Sequence, residues 1–342
     1  MEKLPKFEVI GDVPEKEKAD YIARKRDIFE KQERILPEDD KLRKEIENAE
    51  YTKTPEQIAI LNFINEETNR LMKECGVEPF DIPIENYHIL PEKELKKFFD
   101  AQSSGTYSSR AYAIGLSSDL RSNLLWFATV AFHESLHMKA REVAQLYRGE
   151  EGKYKEKRYR AGIKVFSPHQ KDINGNSVTH FSGADEGVIA WQEKINFSKL
   201  LELPELAEER KEYESEKSEI FRSRISLEKE IPEDEIICVN QDGTSWQNIG
   251  YPEQRKVLEY VCEEISKELK DKYPSKEDVF REFLKATFNG NLIVIARLMK
   301  QTFGGKGLRA LGMMKTGKNN IVNNVLEMLR GMRRDTLHES QL

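Results

Sequence analysis

His133-Glu134-Ser135-Leu136-His137 combines residue types that can bind and use a metal ion. On a helix, side chains four residues apart stand one above the other, so both imidazoles could reach one cation. Glu134 would sit about 100° round from His133, beside that face. There it could reach a water on the metal without becoming a ligand. Zinc brings the pKa of such a water to about 7, and a carboxylate can then take its proton as the oxygen attacks a carbonyl carbon. Two neutral nitrogens and one unligated base are what this hydrolysis requires. The preceding segment, 124–132, is apolar almost all round, as expected of a helix buried on most sides. Two imidazoles and a carboxylate left there without partners would cost several kcal/mol.

A catalytic zinc keeps three protein ligands and one open position. The candidates for the third ligand are Glu186, Asp185, His180 and His169. Glu186 is favoured because it opens the next expected helix, where the helix dipole suits a carboxylate. Gly187 beside it would let another backbone come close. Amide hydrolysis also needs a donor for the developing oxyanion. His169, His180, Tyr154 and Tyr159 lie between the two motif helices, and His180 is preferred as a catalytic group. It sits on an expected strand just before the Glu186 helix.

These residues need elements to position them. Residues 1–78 read as an N-terminal helical region, with helices over 16–32, 39–49 and 54–75; Thr54 and Gln57 form a capping-box pattern. Residues 79–202 read as the core that carries the site. Its expected strands are 84–90, 105–109 and 111–116, with a helix over 92–100 between the first two. The motif helix is expected to start at Ser118 or Asp119 and run to about Tyr147. A charged connector follows, then a hairpin with arms 160–167 and 177–181 turning at Asn174-Gly175. The Glu186 helix is expected from near Asp185 to about Leu201. Residues 203–342 read as a C-terminal helical domain, with a candidate strand at 235–240 before an Asp242-Gly243 turn. The fold expected is helix-rich α+β: a small mixed sheet packed on the motif helix, flanked by helical regions.

Composition narrows the function classes. The chain has 342 residues, with 55 Lys+Arg against 61 Asp+Glu and a net charge of −6. A nucleic-acid binder usually shows a basic face, so no nucleic-acid partner is expected. No stretch approaches about 18 apolar residues, so no membrane span or membrane partner is expected. The charged N-terminus lacks the apolar core of a signal peptide, which makes the cytoplasm the default location. Cys75, Cys238 and Cys262 are far apart and form no metal-binding pair, so free thiols are expected. Nothing indicates an oligomeric state.

The order strand, helix, strand, motif helix, then a second helix carrying Glu186-Gly187 resembles the gluzincin clan of zinc metallopeptidases, especially its compact minigluzincin-like core. The resemblance covers roughly residues 80–200. It implies that His133, His137 and Glu186 hold zinc and that Glu134 is the general base. It also implies that an edge strand above the cleft aligns a peptide or protein substrate. By that resemblance 111–116 would be the edge strand, with Ala111, Tyr112, Ala113, Ile114 and Gly115 binding substrate through strand addition. Many members place an Asp four residues after the Glu ligand to orient the first His. Here that position is Ala190, which leaves Asp185 or Glu193 as the candidates for that role. The expectation is a zinc-dependent peptidase. Its rivals are a scaffold protein that keeps the metal site without turnover, a hydrolase of a non-peptide amide, and a peptidase effector with a delivery or inhibitory N-terminal segment.

Overall fold

In the computed structural model the described residues are 5, 7–31, 48–99, 104–109, 111–149, 151–171, 177–238, 246–317 and 319–339. In chain order they form β1 (Glu8–Ile10), α1 (Glu15–Lys31), α2 (Pro55–Glu74), β2 (Tyr87–Leu90), α3 (Glu92–Phe99), β3 (Gly105–Ser108) and β4 (Ala113–Ser117). The site-bearing stretch follows: α4 (Leu124–Lys139), β5 (Glu142–Arg148), β6 (Tyr154–Ala161), β7 (Lys164–Lys171), β8 (Ser177–His180) and α5 (Ser182–Leu201). The rest is α6 (Ala207–Tyr213), α7 (Glu216–Lys229), β9 (Ile236–Cys238), β10 (Trp246–Asn248), α8 (Pro252–Glu268), α9 (Lys276–Asn289), α10 (Ile293–Phe303), α11 (Gly307–Gly312) and α12 (Asn319–Glu339). The fold is α+β and helix-rich, with small mixed sheets. Among the described residues no helix is long and apolar enough to cross a membrane.

The motif helix α4 packs on a three-stranded sheet of order β2-β4-β3, in which β4 runs parallel to β2 and antiparallel to β3. On its other flanks lie α2 and α5. This explains its composition: Phe127, Ala128, Ala131, Phe132 and Leu136 are fully buried over one half of the helix, and Thr129 and Val130 are buried on the other. A second, five-stranded sheet runs β1-β5-β6-β7-β8, with β1 parallel to β5 and the rest antiparallel. One cluster of buried apolar side chains joins all three expected regions, from Phe29 and Ile60 through Phe132 and Val188 to Leu258 and Leu329.

Several boundaries differ from expectation, each for a physical reason. The motif helix starts later, capped by Asn123, whose Oδ1 accepts the Trp126 N–H at 2.7 Å. The Ser118–Ser122 stretch is a separate 3-10 turn. The helix also ends earlier, at Lys139, and β5 takes the residues that continued the helical pattern. Long-range partners decide this: the Arg141 N–H bonds the Thr287 carbonyl and its carbonyl accepts the Gly162 N–H. The charged connector is strand β6, joined to β7 by a turn at Gly162, which takes the left-handed φ of 57° that glycine tolerates. The N-terminal region is not wholly helical, because β1 extends the five-stranded sheet. The capping box is present, with Thr54 and Gln57 bonded reciprocally. The turns at Asn174-Gly175 and Asp242-Gly243, and most of the expected 39–49 helix, lie outside the described residues.

The first turn of α5 is held against the 312–315 segment: the Phe181 N–H bonds the Gly312 carbonyl and the Gly183 N–H bonds that of Met314. A Cβ on Gly183 would lie 2.9 Å from both the backbone N and O of Lys315, closer than such contacts allow. Gly183→Ala should therefore lower stability by about 1–3 kcal/mol, read from urea denaturation. An unchanged midpoint would show that the segment yields freely.

Candidate metal centre

The helix α4 presents His133 and His137 on one face, with ring centroids 5.0 Å apart. The N-terminal part of α5 brings Glu186 to them, just past the first turn that holds Asp185. Its Oε2 lies 3.0 Å from His137 Nε2 and 3.5 Å from His133 Nε2. One ligand atom from each of the three lies within 4.8 Å of the others, a spacing that could hold a metal ion. On another side α5 lies close to α8. Gly187 permits this, since a Cβ there would meet the Gln254 backbone carbonyl carbon at 3.2 Å.

Each imidazole has an acid behind it. His133 Nδ1 lies 2.8 Å from Glu193 Oε2, two turns further along α5. With Nδ1 donating its proton to Glu193, loss of the Nε2 proton would free that nitrogen's lone pair on the side of Glu186. Asp185 Oδ2 lies 3.8 Å from His137 Nδ1, and Asp185 Oδ1 accepts the Ile163 N–H at 3.0 Å. Exposure separates the two sets of groups. The side chains of His133, His137 and Glu186 keep 13%, 16% and 11% of their surface, whereas Asp185 and Glu193 keep 2% and 3%. The candidate ligands are partly accessible, and the acids behind them are sealed.

Further contacts come from β7, β3 and the residue before α8. Lys164 on β7 places its ammonium 3.3 Å from Glu186 Oε1 and 4.0 Å from Asp185 Oδ2. Glu134 lies beside the ligand face and accepts the Tyr107 backbone N–H from β3. That strand runs directly over the helix: a Cβ on Gly105 would sit 2.3 Å from Val130 Cγ1 and 3.2 Å from Glu134 Cγ. Tyr251, just before α8, stacks its ring on His133 at 5.9 Å and 22° between planes. Its phenol bonds Glu186.

The electrostatics follow from burial and these partners. Burial opposes a charged His133, but hydrogen bonds to Glu186 and Glu193 overcome it and hold the imidazole well above its usual range. Burial disfavours the Glu186 carboxylate too, yet the charge of His137, the two imidazole hydrogen bonds and Lys164 hold it well below its usual range. Burial raises Glu134 and Asp185 despite the nearby cations. Burial and the charges of Glu186 and Glu134 push the Tyr251 phenol up, so it stays a protonated donor.

Two expectations need correcting. The segment 111–116 is not an edge. Ala113, Ile114 and Gly115 lie in β4, which is paired on both sides, and Ala111 and Tyr112 precede it in a turn. All five are buried, and the Tyr112 carbonyl is spent on Asn86 Nδ2 at 2.8 Å. The strand β2 has inserted in parallel along the outer side, so the terminal strand of the sheet beside Glu134 is β3. His180 is likewise not brought to the centre. It pairs with Val165, and cross-strand partners share a face, whereas Lys164 points from the opposite face toward Glu186. Tyr154 packs by Val13, Tyr21 and Leu146, away from the ligands, and Tyr159 makes none of the contacts above. The side chain of His169 lies outside the described residues.

Tyr251 and Lys164 carry no local signal of their role. Pro252 signals a helix start, but nothing nearby marks the Tyr before it as facing a centre formed by residues 133–193. Its one distinguishing property is conformational. Tyr251 sits in the left-handed region, at φ 55°, which costs a non-glycine residue of order 1–3 kcal/mol. Comparison with protein-family models, curated proteins and solved structures finds no match for this chain.

Loss of an acid behind a metal-binding imidazole typically weakens the metal by about 10–100-fold. Glu193→Ala should do so here, measured by titration against a chromogenic chelator. Equal affinity in the variant and the parent would remove Glu193 from the orienting role.

Proposed function

We propose that this chain is a zinc-dependent peptidase of the gluzincin type. The observation that carries the reading is the convergence of His133 Nε2, His137 Nε2 and Glu186 Oε2, with Glu134 beside them and outside the ligand set. Two imidazoles and one carboxylate, with acids behind the imidazoles, make a donor set that suits zinc with an open position. A zinc ion there would supply Lewis acidity and an acidified water.

The chain's own residues account for the remaining requirements. Glu134 is held by the Tyr107 N–H, and burial raises its carboxyl, which favours taking up a proton and giving it to a leaving amine. The Tyr251 phenol is positioned to donate to a developing oxyanion, the role expected of His180 from the sequence. Lys164 holds the second oxygen of Glu186, which leaves Oε2 for the ion. Among the described residues β3 has a strand neighbour on one side only. An extended peptide added there would run past Glu134, which favours a peptide over a compact amide as substrate.

Metal analysis should find about one zinc per chain, lost in His137→Ala and retained in Glu134→Gln. Cleavage of a peptide library, followed by mass spectrometry, should disappear in both. Tyr251→Phe should keep the zinc and lower kcat by about 10²–10³-fold. A zinc-loaded, folded parent that cleaves no peptide would sink the peptidase reading. Zinc retained by His137→Ala would sink the metal assignment.

A further inference from the structure

The conformation of Tyr251 needs an explanation, because a tyrosine does not hold a left-handed backbone unaided. Its neighbours supply one. Glu235 and Arg255 form a two-pronged ion pair, Nη1 to Oε1 at 2.7 Å and Nη2 to Oε2 at 2.6 Å, with side chains only 5% and 4% exposed. The guanidinium spends its other donors on the backbone just before Tyr251: Nε on the Gly250 carbonyl at 3.0 Å and Nη2 on that of Ile249 at 3.3 Å. The Arg255 N–H bonds the carbonyl of Tyr251 itself at 3.0 Å. The backbone of Glu235 joins in, its carbonyl accepting the Ile249 N–H at 2.9 Å.

The cluster is also tied to the metal-site helix. Lys194 on α5 reaches Glu235 Oε1 at 2.7 Å and Asp234 Oδ2 at 3.2 Å. The residue before it, Glu193, holds His133. One helix therefore orients the imidazole on one face and anchors, through Glu235, the loop whose ring stacks on that imidazole. The β9–β10 ribbon leaves this cluster at Glu235 and returns to it at Ile249, so the pair closes the base of the ribbon.

We propose that Glu235 and Arg255 are a positioning pair that locks Tyr251 in its left-handed conformation over His133 and so sets where its phenol points. The catalytic meaning of that position rests on the proposed function; the position itself does not. A planar guanidinium fits the task because it satisfies a carboxylate and two carbonyls in fixed directions at once, which an ammonium cannot do. A buried pair of this kind is weak evidence for stability alone, so its concentration of bonds on the two residues before Tyr251 is the informative feature.

The test uses the full chain with 3-fluorotyrosine placed at position 251 and read by fluorine NMR. The parent should give one sharp resonance that moves when zinc is added. In Glu235→Gln and in Arg255→Lys, with folding checked by circular dichroism, that resonance should shift or broaden by more than a line width before any metal is added. Zinc stoichiometry should stay at the parent's value. With peptide substrate, kcat should fall by up to about 10²-fold while KM holds, and the loss should vanish in a Tyr251→Phe background. Should one variant fail to fold, the other decides. An unmoved resonance in a folded variant would overturn the proposal, as would a kcat loss that persists in full without the Tyr251 hydroxyl. A parent that binds no zinc would sink the proposed function alone, since the metal-free resonances would still settle the positioning.

Discussion

The packing of α4 against α5 brings four carboxylates, those of Glu134, Asp185, Glu186 and Glu193, into one largely buried space. The ammonium in contact with them among the described residues is that of Lys164. Buried charge of one sign is costly unless paired, and the residues relieve it in two ways. His133 stays charged well above its usual range, and the carboxyls of Glu134 and Asp185 are raised. A divalent cation would do the same work more completely, displacing the imidazolium proton and meeting Glu186 directly. This imbalance adds to the convergence of the three side chains in marking the two helices as a candidate metal site.

Backbone strain marks where the centre is assembled. Two helices begin at aromatic residues in the left-handed region, α5 after Phe181 and α8 after Tyr251. Phe181 is held by a long-range bond to the Gly312 carbonyl, and the carbonyls just before Tyr251 are held by Arg255, which is itself paired with the distant Glu235. Phe181 sets the turn that presents Asp185 and Glu186, while Tyr251 sets a ring over His133. Such conformations persist when the surroundings over-determine them, and here the surroundings come from the C-terminal helices. Those helices therefore belong to the construction of the site and are not a separate appendage to it.

What was legible in the sequence depended on range. The spacing of His133 and His137 on one helix and the Thr54–Gln57 cap are local facts, and the structure bears both out, whereas the helix of Glu186 begins at Ser182, which puts Glu186 just past its first turn. The end of α4 was not local, because Arg141 leaves the helix for Thr287 and Gly162, far away in the chain. The sheet order was not local either. Both 105–109 and 111–116 read as strands, but which one lies outermost depends on β2 pairing with β4, and periodicity carries no such information. Tyr251 lies furthest from the motif in sequence and shows no pattern of its own. Short-range chemistry thus exposed the candidate metal ligands and the candidate base, while the groups that complete the site come from tertiary contacts.

The replacement of β4 by β3 as the terminal strand also changes how base and substrate would be related. In the structure the same strand that offers an open side gives its Tyr107 N–H to the Glu134 carboxylate. Under the proposed function, a peptide paired with β3 would take its register from the strand that also fixes the base. The offset between scissile bond and carboxylate would then be set by a few backbone bonds within β3, with no long lever between them. Val130 and Glu134 leave no room for a side chain at Gly105, so the strand cannot ride higher over the helix without loss of this contact. Under the proposed function, close approach of β3 to α4 would be the geometric condition that links peptide register to proton transfer.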